Sequence, residues 1–191
     1  MFEGHQSGRV VALCGCPRSG KDTIAKSLPA HNFRLVSFAE PIRNCVDSLK
    51  LQNKDDKNEK GPLGVEYRES MTVLATKLRS KLKKWLPSLT IDPDNLFVEI
   101  AAIKVRTWLD LGYSVCITDL RFKYELDWIR SNGGLVVHII RDSSESEKEV
   151  VCENVSRMIK YDEEADITVI NNGSVSDAVF DLTHKLSLLS K

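Results

Sequence analysis

The sequence contains no run of about twenty apolar residues, the length that a helix needs to cross the hydrocarbon core of a membrane. We therefore expect no membrane-spanning helix, and the short, polar residues 1–8 predict no signal peptide. The sequence also lacks an excess of charge of either sign, because 27 lysines and arginines balance 27 aspartates and glutamates. We thus expect no nucleic-acid partner and no membrane partner; a small molecule is the expected ligand.

The sequence also lacks cysteines at the paired spacing of a metal site. Most of the five cysteines lie in apolar stretches that predict burial. The four histidines are isolated, and His138 lies within the apolar stretch 135–140, where a core histidine is favoured over a metal ligand. We expect no zinc site and a reduced compartment. The cysteines are Cys14, Cys16, Cys45, Cys116 and Cys152.

The length of 191 residues is typical of a chain that buries a core without disulfide or metal staples. No internal repeat or linker interrupts the sequence, so we expect one domain, residues 1–191. Apolar stretches that favour strands alternate with stretches of helical periodicity. Five such strands predict an α/β fold, with a parallel sheet wrapped by helices on both faces.

The most informative stretch is an apolar run, residues 10–14, that breaks into a turn framed by Gly15 and Gly20 and resumes as a helix. With Lys21, the two glycines match G-x-x-x-x-G-K, in which backbone N–H groups wrap a phosphate and the lysine reaches further phosphate oxygens. A chance glycine turn is the alternative, but strand, turn and helix come in the order that the mechanism requires. The residues predicted to hold a nucleoside triphosphate are Gly15, Arg18, Ser19, Gly20, Lys21, Asp22 and Thr23.

Asp22 departs from the usual form of this loop. It stands where a serine or threonine normally gives a hydroxyl to magnesium, and Thr23 comes one residue later. Magnesium in phosphate-binding sites is bound through carboxylates. Asp22 is therefore the first candidate for the magnesium side of the site.

A second apolar strand, residues 33–38, leads directly into a helix with Pro41 in its first turn. Glu40 and Arg43 would then lie at the carboxyl edge of the sheet, where ligands of open parallel sheets bind. Both are candidates for contact with the substrate. The charged residues 50–64 have no apolar periodicity and predict a flexible, solvated loop, with a substrate flap as the alternative.

Two amphipathic helices are predicted next. The first covers residues 67–86, and its first turn carries Arg68. A cation there is poorly placed against the helix dipole, so Arg68 needs another partner, and a substrate phosphate is the candidate. The second helix starts near Phe97 and ends before Gly112.

The apolar stretch 113–119 ends in a carboxylate, Asp119, which has the form of a Walker-B strand. An aspartate in this place commonly holds magnesium or its waters, and a plain helix cap is the alternative. Arg121 follows two residues later and predicts a phosphate clamp. Arg141 repeats this placement after the strand 135–140.

With these residues in view, the sequence resembles the phage-type deoxynucleoside monophosphate kinases. The resemblance covers most of the chain outside residues 50–64. Animal-type phosphomevalonate kinases are a close second resemblance, because they share the loop, an aspartate and an arginine at the third strand tip, and an Asn-x-Gly turn. The segments that carry the first resemblance are residues 15–23, 38–43, 119–122 with Glu125, 133–141 and 171–174.

The resemblance implies the three-layer fold of P-loop nucleoside monophosphate kinases, with five parallel strands in the order 2-3-1-4-5 and a lid-like segment at residues 142–164. It implies transfer of a phosphoryl group from ATP, with Mg²⁺, to a nucleoside or deoxynucleoside monophosphate. Phosphomevalonate kinase activity is the alternative. A nucleotide-binding module without catalysis is a third hypothesis from another class.

The resemblance also implies roles for the candidate residues. No general base is required, because a phosphate oxygen of the acceptor is already ionised at neutral pH. The candidates are Lys21, Asp22, Arg121 and Arg141 for the transfer, with Arg157 as the alternative to Arg141; Glu40, Arg43, Arg68, Asp119 and Arg121 for the acceptor; Asp22 and Asp119 for the metal; and Asn171 and Gly173 beside the adenine.

The expected partner is a small-molecule monophosphate acceptor. The sequence does not determine the oligomeric state, and a homodimer is compatible with it. We expect a cytoplasmic protein, located in the host cytoplasm if the chain is viral.

Overall fold

The computed structural model describes four stretches of the chain and the single residue Asp92. The chain divides into two compact units. The first is built from Met1–Ser37 together with Ala102–Lys191, and the second from Phe38–Ala101. The expectation of one domain stays a prediction. The described residues are 8–48, 62–85, 92, 95–142 and 159–189.

A parallel sheet of five strands forms the centre of the first unit, and the strand order is 2-3-1-4-5. Both the parallel sheet and the order of its strands are therefore confirmed. All carboxyl ends of the strands lie at one edge of such a sheet, where loops collect functional groups. The strands are β1 (Val10–Cys14), β2 (Phe33–Val36), β3 (Ser114–Ile117), β4 (Leu135–Ile140) and β5 (Ile167–Ile170).

Helices connect the strands and cover the sheet. The first α-helix ends at Ser27, and a 3-10 helix, Leu28–His31, follows it with Pro29 in its first turn. The α-helices in the described part of the chain are α1 (Lys21–Ser27), α2 (Glu40–Ser48), α3 (Pro62–Trp85), α4 (Leu96–Asp110), α5 (Lys123–Ser131), α6 (Tyr161–Glu164) and α7 (Val175–Leu188).

β1 lies in the middle of the sheet, and all of its residues are buried. Successive side chains of a strand point to opposite faces, and Leu13 faces a core that it shares with Ile24 of α1 and Leu182 of α7. Val10 points to the other face, where Ile129 of α5 lies beside it at Gly134. Helices therefore cover both faces of the sheet, as the three-layer prediction requires.

The second unit has a core of its own, formed where α2 packs against α3. Ile42 and Val46 of α2 are buried together with Tyr67 of α3 and Phe97. The hydroxyl of Tyr67 donates to a carboxylate oxygen of Asp47 at 3.2 Å. Burial, together with the Asp47 charge, raises the pKa of Tyr67. The buried phenol is thus satisfied within this unit.

Two predicted strands are shorter in the structure than in the sequence analysis. The strand expected at 33–38 ends at Val36, and the one expected at 113–119 covers only Ser114–Ile117. The amide of Thr118 still donates to the carbonyl of Val36 at 3.1 Å. Beyond these two residues, the segments that follow β2 and β3 are no longer part of the sheet. Ser37 and Asp119 therefore follow the two strands at the carboxyl edge of the sheet.

The start of α3 corrects two expectations. This helix begins at Pro62, five residues before the predicted start, because proline is preorganised for the first helical position. The last three residues of the expected loop at 50–64 are therefore helical, and residues 50–61 lie outside the described part. Arg68 consequently lies in the second turn, so the argument from the helix dipole no longer applies to it.

Burial of the cysteines is confirmed only in part. Cys14 and Cys116 are buried, whereas Cys16 is half-buried and Cys45 is exposed on α2. Burial raises the pKa of the Cys14 thiol to about 12, which keeps that thiol protonated. Cys152 lies outside the described residues. None of the described helices is both long enough and apolar enough to cross a membrane.

Leu182 offers a test of the packing in the first unit. Its side chain is 0% exposed on α7, and truncation to alanine would leave a cavity. We expect Leu182→Ala to lower the free energy of unfolding by about 2–5 kcal/mol in urea denaturation. Phe180→Ala on the same helix is the control, because Phe180 is 72% exposed and its loss should change stability by about 0.5 kcal/mol or less. Equal losses would contradict this packing.

Candidate phosphate-binding site

The glycine-framed loop between β1 and α1 has the backbone geometry of an anion-binding turn. Gly15, Arg18 and Gly20 all have positive φ, at 138°, 67° and 91°. A Cβ on Gly15 would lie 2.4 Å from the carbonyl oxygen of Ile139, and one on Gly20 would lie 2.1 Å from the Asn171 amide nitrogen. Gly15 therefore requires glycine for space as well as conformation, and Gly20 requires it for its positive φ.

Lys21 closes this loop with its ammonium group. Nζ donates to the carbonyl of Gly15 at 2.8 Å, to that of Cys16 at 2.7 Å and to Oγ of Ser19 at 3.3 Å. Burial lowers the pKa of Lys21, and the positive charge of Arg121 lowers it further. The charges of Lys21 and Arg121 thus repel each other at the carboxyl edge of the sheet. A bound anion would reduce this repulsion.

Asp119 lies two residues beyond the end of β3, at the same edge. Oγ of Ser37, which follows β2, donates to a carboxylate oxygen of Asp119 at 2.5 Å. Neighbouring strands therefore bring the two side chains together across 82 positions of sequence. Ser37 is not among the residues predicted from the sequence, although a polar residue directly after the apolar stretch of β2 is a signal for it.

Arg121 is held by its backbone on two sides. Its amide donates to Oε2 of Glu125 at 2.8 Å, and its carbonyl accepts from the amide of Ile159 at 3.0 Å. The same carboxylate oxygen accepts from the amide of Phe122 at 3.0 Å, so Glu125 caps α5. The guanidinium-bearing side chain itself is exposed. The backbone of Arg121 is therefore fixed while its charged end can reach a ligand.

Asn171 supports the loop from the end of β5. Its side chain is 5% exposed, and its amide nitrogen donates to the carbonyl of Ser19 at 2.9 Å. This contact connects β5 to the phosphate loop, which no local sequence pattern indicated. Gly173 comes two residues later, directly before the N-cap Ser174 of α7. The expected contact of Asn171 and Gly173 with adenine stays a prediction.

The other strand ends carry further polar groups. Arg141 is exposed directly after β4, and the next residue pairs with the turn after β5. The Asp142 amide donates to Oδ1 of Asn172 at 2.8 Å, and the Asn172 side chain returns a bond to the Asp142 carboxylate at 2.6 Å. Arg157 and most of the expected lid lie outside the described residues.

The carboxylates expected to hold magnesium have suitable chemistry. Asp22 is exposed in the first turn of α1, and Asp119 lies at the end of β3. Within the described ranges, no three His, Cys, Asp or Glu side chains gather as a metal site. Magnesium beside phosphates needs only one or two carboxylates, with water and phosphate oxygens as the remaining ligands. These two residues therefore fit magnesium better than zinc.

The remaining predicted residues belong to the second unit. Glu40 and Arg43 lie in the first turn of α2, and Arg68 lies on α3. The first unit alone brings together the loop, Asp119 and Arg121. The assignment of the three residues of the second unit to the acceptor stays a prediction.

His138 is buried, as expected, but it is also a neighbour of the loop. It pairs with Cys14 across the sheet, and its Cδ2 would lie 3.3 Å from a Cβ on Gly15. Nδ1 lies 3.0 Å from Oδ1 of Asp162, and burial lowers the pKa of the imidazole. A neutral histidine therefore packs beneath the phosphate loop.

The chain is similar in sequence to one viral protein and in fold to solved structures. A protein of Acanthamoeba polyphaga mimivirus with the provisional name deoxynucleotide monophosphate kinase is 26% identical over 181 residues, which cover 88% of this chain and 91% of the relative. The structure of TT1252 from Thermus thermophilus matches 96% of this chain and 99% of its own, with a TM-score of 0.52 and 16% identity. The predicted α/β fold is confirmed.

Dephospho-CoA kinase from Campylobacter jejuni is a weaker structural match, with a TM-score of 0.49 and 12% identity over 95% of this chain and 96% of that one. No family model matches the chain. The likeness to TT1252 concerns the fold alone, because its sequence identity is low.

The buried carboxyl of Glu125 predicts a pH dependence of stability. Burial raises its pKa from 4.5 to about 8, so the folded chain binds this proton more tightly than the unfolded chain. The resulting stability is complete below about pH 4.5 and is lost as the pH rises through about 8. We therefore expect Glu125→Gln to reduce the fall in unfolding free energy between about pH 5 and about pH 8, measured by urea denaturation.

Glu99→Gln on α4 is the matched control, because that carboxylate is exposed. Its pH profile should follow that of the unmodified chain. If Glu125→Gln and the unmodified chain lose stability with the same slope, the carboxyl of Glu125 does not titrate as described.

Proposed function

We propose that this chain transfers the terminal phosphoryl group of ATP to a deoxynucleoside monophosphate, forming ADP and a deoxynucleoside diphosphate. The observation that carries the proposal is the glycine-framed loop, in which the Lys21 ammonium donates to the Gly15 and Cys16 carbonyls, with the charge of Arg121 after β3 acting on it. The mutual repulsion of the two cations favours a bound polyanion. The mimivirus protein, named for a deoxynucleotide monophosphate kinase, supports the choice of acceptor.

Binding of the triphosphate would use the loop first. Lys21 exchanges its bonds to the Gly15 and Cys16 carbonyls for bonds to phosphate oxygens. An ionised phosphate is a stronger acceptor than a neutral carbonyl. The backbone amides of the loop contribute further donors, and Asn171 keeps the loop in place through Ser19.

The transfer step follows from the chemistry of phosphates. An oxygen of the acceptor phosphate forms a bond to the γ-phosphorus, while the bond from that phosphorus to the bridging β-oxygen breaks and ADP leaves. The acceptor is ionised at neutral pH, since the second pKa of a phosphate monoester is about 6. The protein therefore needs no general base, and Lys21, Arg121 and Arg141 are proposed to stabilise the charge that develops.

Asp22 and Asp119 are proposed to hold magnesium. When bound, Mg²⁺ neutralises charge on the β- and γ-oxygens. The Ser37 hydroxyl donates to one oxygen of Asp119 and so orients this carboxylate after the end of β3. Glu40, Arg43 and Arg68 remain the proposed contacts of the acceptor.

An acceptor panel tests the proposal. ADP release by the full chain would be measured in a coupled assay with ATP, Mg²⁺ and one acceptor at a time, covering deoxynucleoside monophosphates, ribonucleoside monophosphates and phosphomevalonate. We expect a deoxynucleoside monophosphate to give the largest stimulation. Stimulation by phosphomevalonate alone would replace the proposal with the second resemblance. ATP binding without stimulation by any acceptor would favour a binding module and contradict both kinase proposals.

Lys21→Ala tests the role of the ammonium group. Loss of one charge contact in the transition state is typically worth about 3 kcal/mol or more, so we expect kcat to fall at least about a hundredfold. Lys26→Ala on the same helix is the matched control, because Lys26 is exposed, and its kcat should stay near that of the unmodified chain. Equal kcat values for Lys21→Ala and the unmodified chain would contradict the assignment.

A further inference from the structure

Glu125 is an acidic residue in an apolar place. Its side chain is 6% exposed, and it is flanked on α5 by the buried Leu126. A carboxyl group taken out of water is costly unless it finds hydrogen-bond partners. Oε2 of Glu125 finds two, the amides of Arg121 and Phe122 at 2.8 Å and 3.0 Å. The group is therefore built into the support of the turn that follows β3.

This turn carries both functional groups that the sequence placed after β3. At its start, Asp119 is held by the Ser37 hydroxyl at 2.5 Å. At its end, Arg121 is held between Glu125 and the amide of Ile159. The carboxyl oxygen of Glu125 accepts from the amide of Arg121 and also from the amide of Phe122, the N-cap of α5. One side chain therefore fixes both residues.

The position of Arg121 matters because its charge acts on Lys21. Coulomb interaction falls with distance, and a donor displaced by about 1 Å can cost up to about a hundredfold in rate. The Arg121 side chain is exposed, so the reach of its guanidinium group is set by where its backbone is held. That backbone is held by Glu125.

We propose that Glu125 is a positioning residue, whose carboxyl oxygen holds the Arg121 backbone where the guanidinium meets the transferring phosphoryl group. This inference rests on the proposed function. Glu125 touches no substrate in this proposal and acts only through Arg121. The competing explanation is that Glu125 serves as a helix cap alone, in which case its loss changes stability but not the rate of the folded enzyme.

Three substitutions separate positioning from capping. Glu125→Gln keeps an amide oxygen at the place of Oε2, so it can accept from both amides. Glu125→Asp shortens the side chain by one methylene, which moves the carboxyl oxygen away from the two amides. Glu125→Ala removes that oxygen. The positioning role therefore predicts that kcat falls in Glu125→Asp and Glu125→Ala but stays near that of the unmodified chain in Glu125→Gln.

Asp166 provides the matched structural control. It also accepts from a backbone amide, that of Val136 at 2.7 Å, and it pairs with Arg130. Both contacts lie at the start of β4 and β5, the opposite edge of the sheet from the site. Asp166→Ala should therefore cost stability without changing the turn that carries Arg121.

The experiment measures kcat, the KM for ATP and the urea midpoint of each variant, with the acceptor that the panel identifies. We expect Glu125→Ala to lower kcat about ten- to a hundredfold with the KM for ATP changed less than about twofold. Glu125→Gln should return kcat to within about twofold of the unmodified chain. Asp166→Ala should lower the midpoint and leave kcat unchanged. If Glu125→Ala does not fold, Glu125→Asp takes its place with the same expected loss of kcat.

The outcomes distinguish this inference from the proposed function. An active unmodified chain with unchanged kcat in Glu125→Ala or Glu125→Asp would overturn the positioning role alone. Equal losses of kcat in Glu125→Gln and Glu125→Ala would overturn it too, because the oxygen would then not be what matters. No activity of the unmodified chain with any acceptor would overturn the proposed function and the inference together.

Discussion

The site depends on one constraint, the glycine-framed loop that holds the Lys21 ammonium beside the end of β1. Lys21 is held there by two carbonyls and a hydroxyl, all of which are weaker acceptors than an ionised phosphate. Arg121 adds a second cation that lowers the pKa of Lys21. The glycines of the loop bring backbone close enough for this arrangement, since a Cβ on Gly15 would collide with Ile139. Such a site gains stability when a polyanion enters it.

The parallel sheet converts this local chemistry into a site. Its central strand β1 is apolar throughout, and polar groups collect at the strand ends, where several of them have a supporting partner. Ser37 holds Asp119, Asn171 holds the loop through Ser19, and Glu125 holds the backbone of Arg121. Preorganised donors of this kind need little reorganisation when charge moves between phosphates.

Local patterns in the sequence predicted the parts of the site that are local in the chain. The loop before α1 and the places of Asp119 and Arg121 after β3 follow from glycine spacing and apolar runs, whereas the strand order follows from the family resemblance. Two of the supporting contacts, those of Ser37 and Asn171, join residues 82 and 152 positions apart, and no periodicity signals them. The predicted start of α3 is wrong. The prediction places Pro62 in a loop, although proline also suits a first helical turn.

A crystal structure of this chain with a non-hydrolysable ATP analogue and Mg²⁺ tests the central claim most directly. Phosphate oxygens should replace the carbonyls of Gly15 and Cys16 as acceptors of Lys21, and the Arg121 guanidinium should lie within hydrogen-bond distance of the terminal phosphate. A triphosphate bound away from the loop, with Lys21 still donating to both carbonyls, would contradict the account.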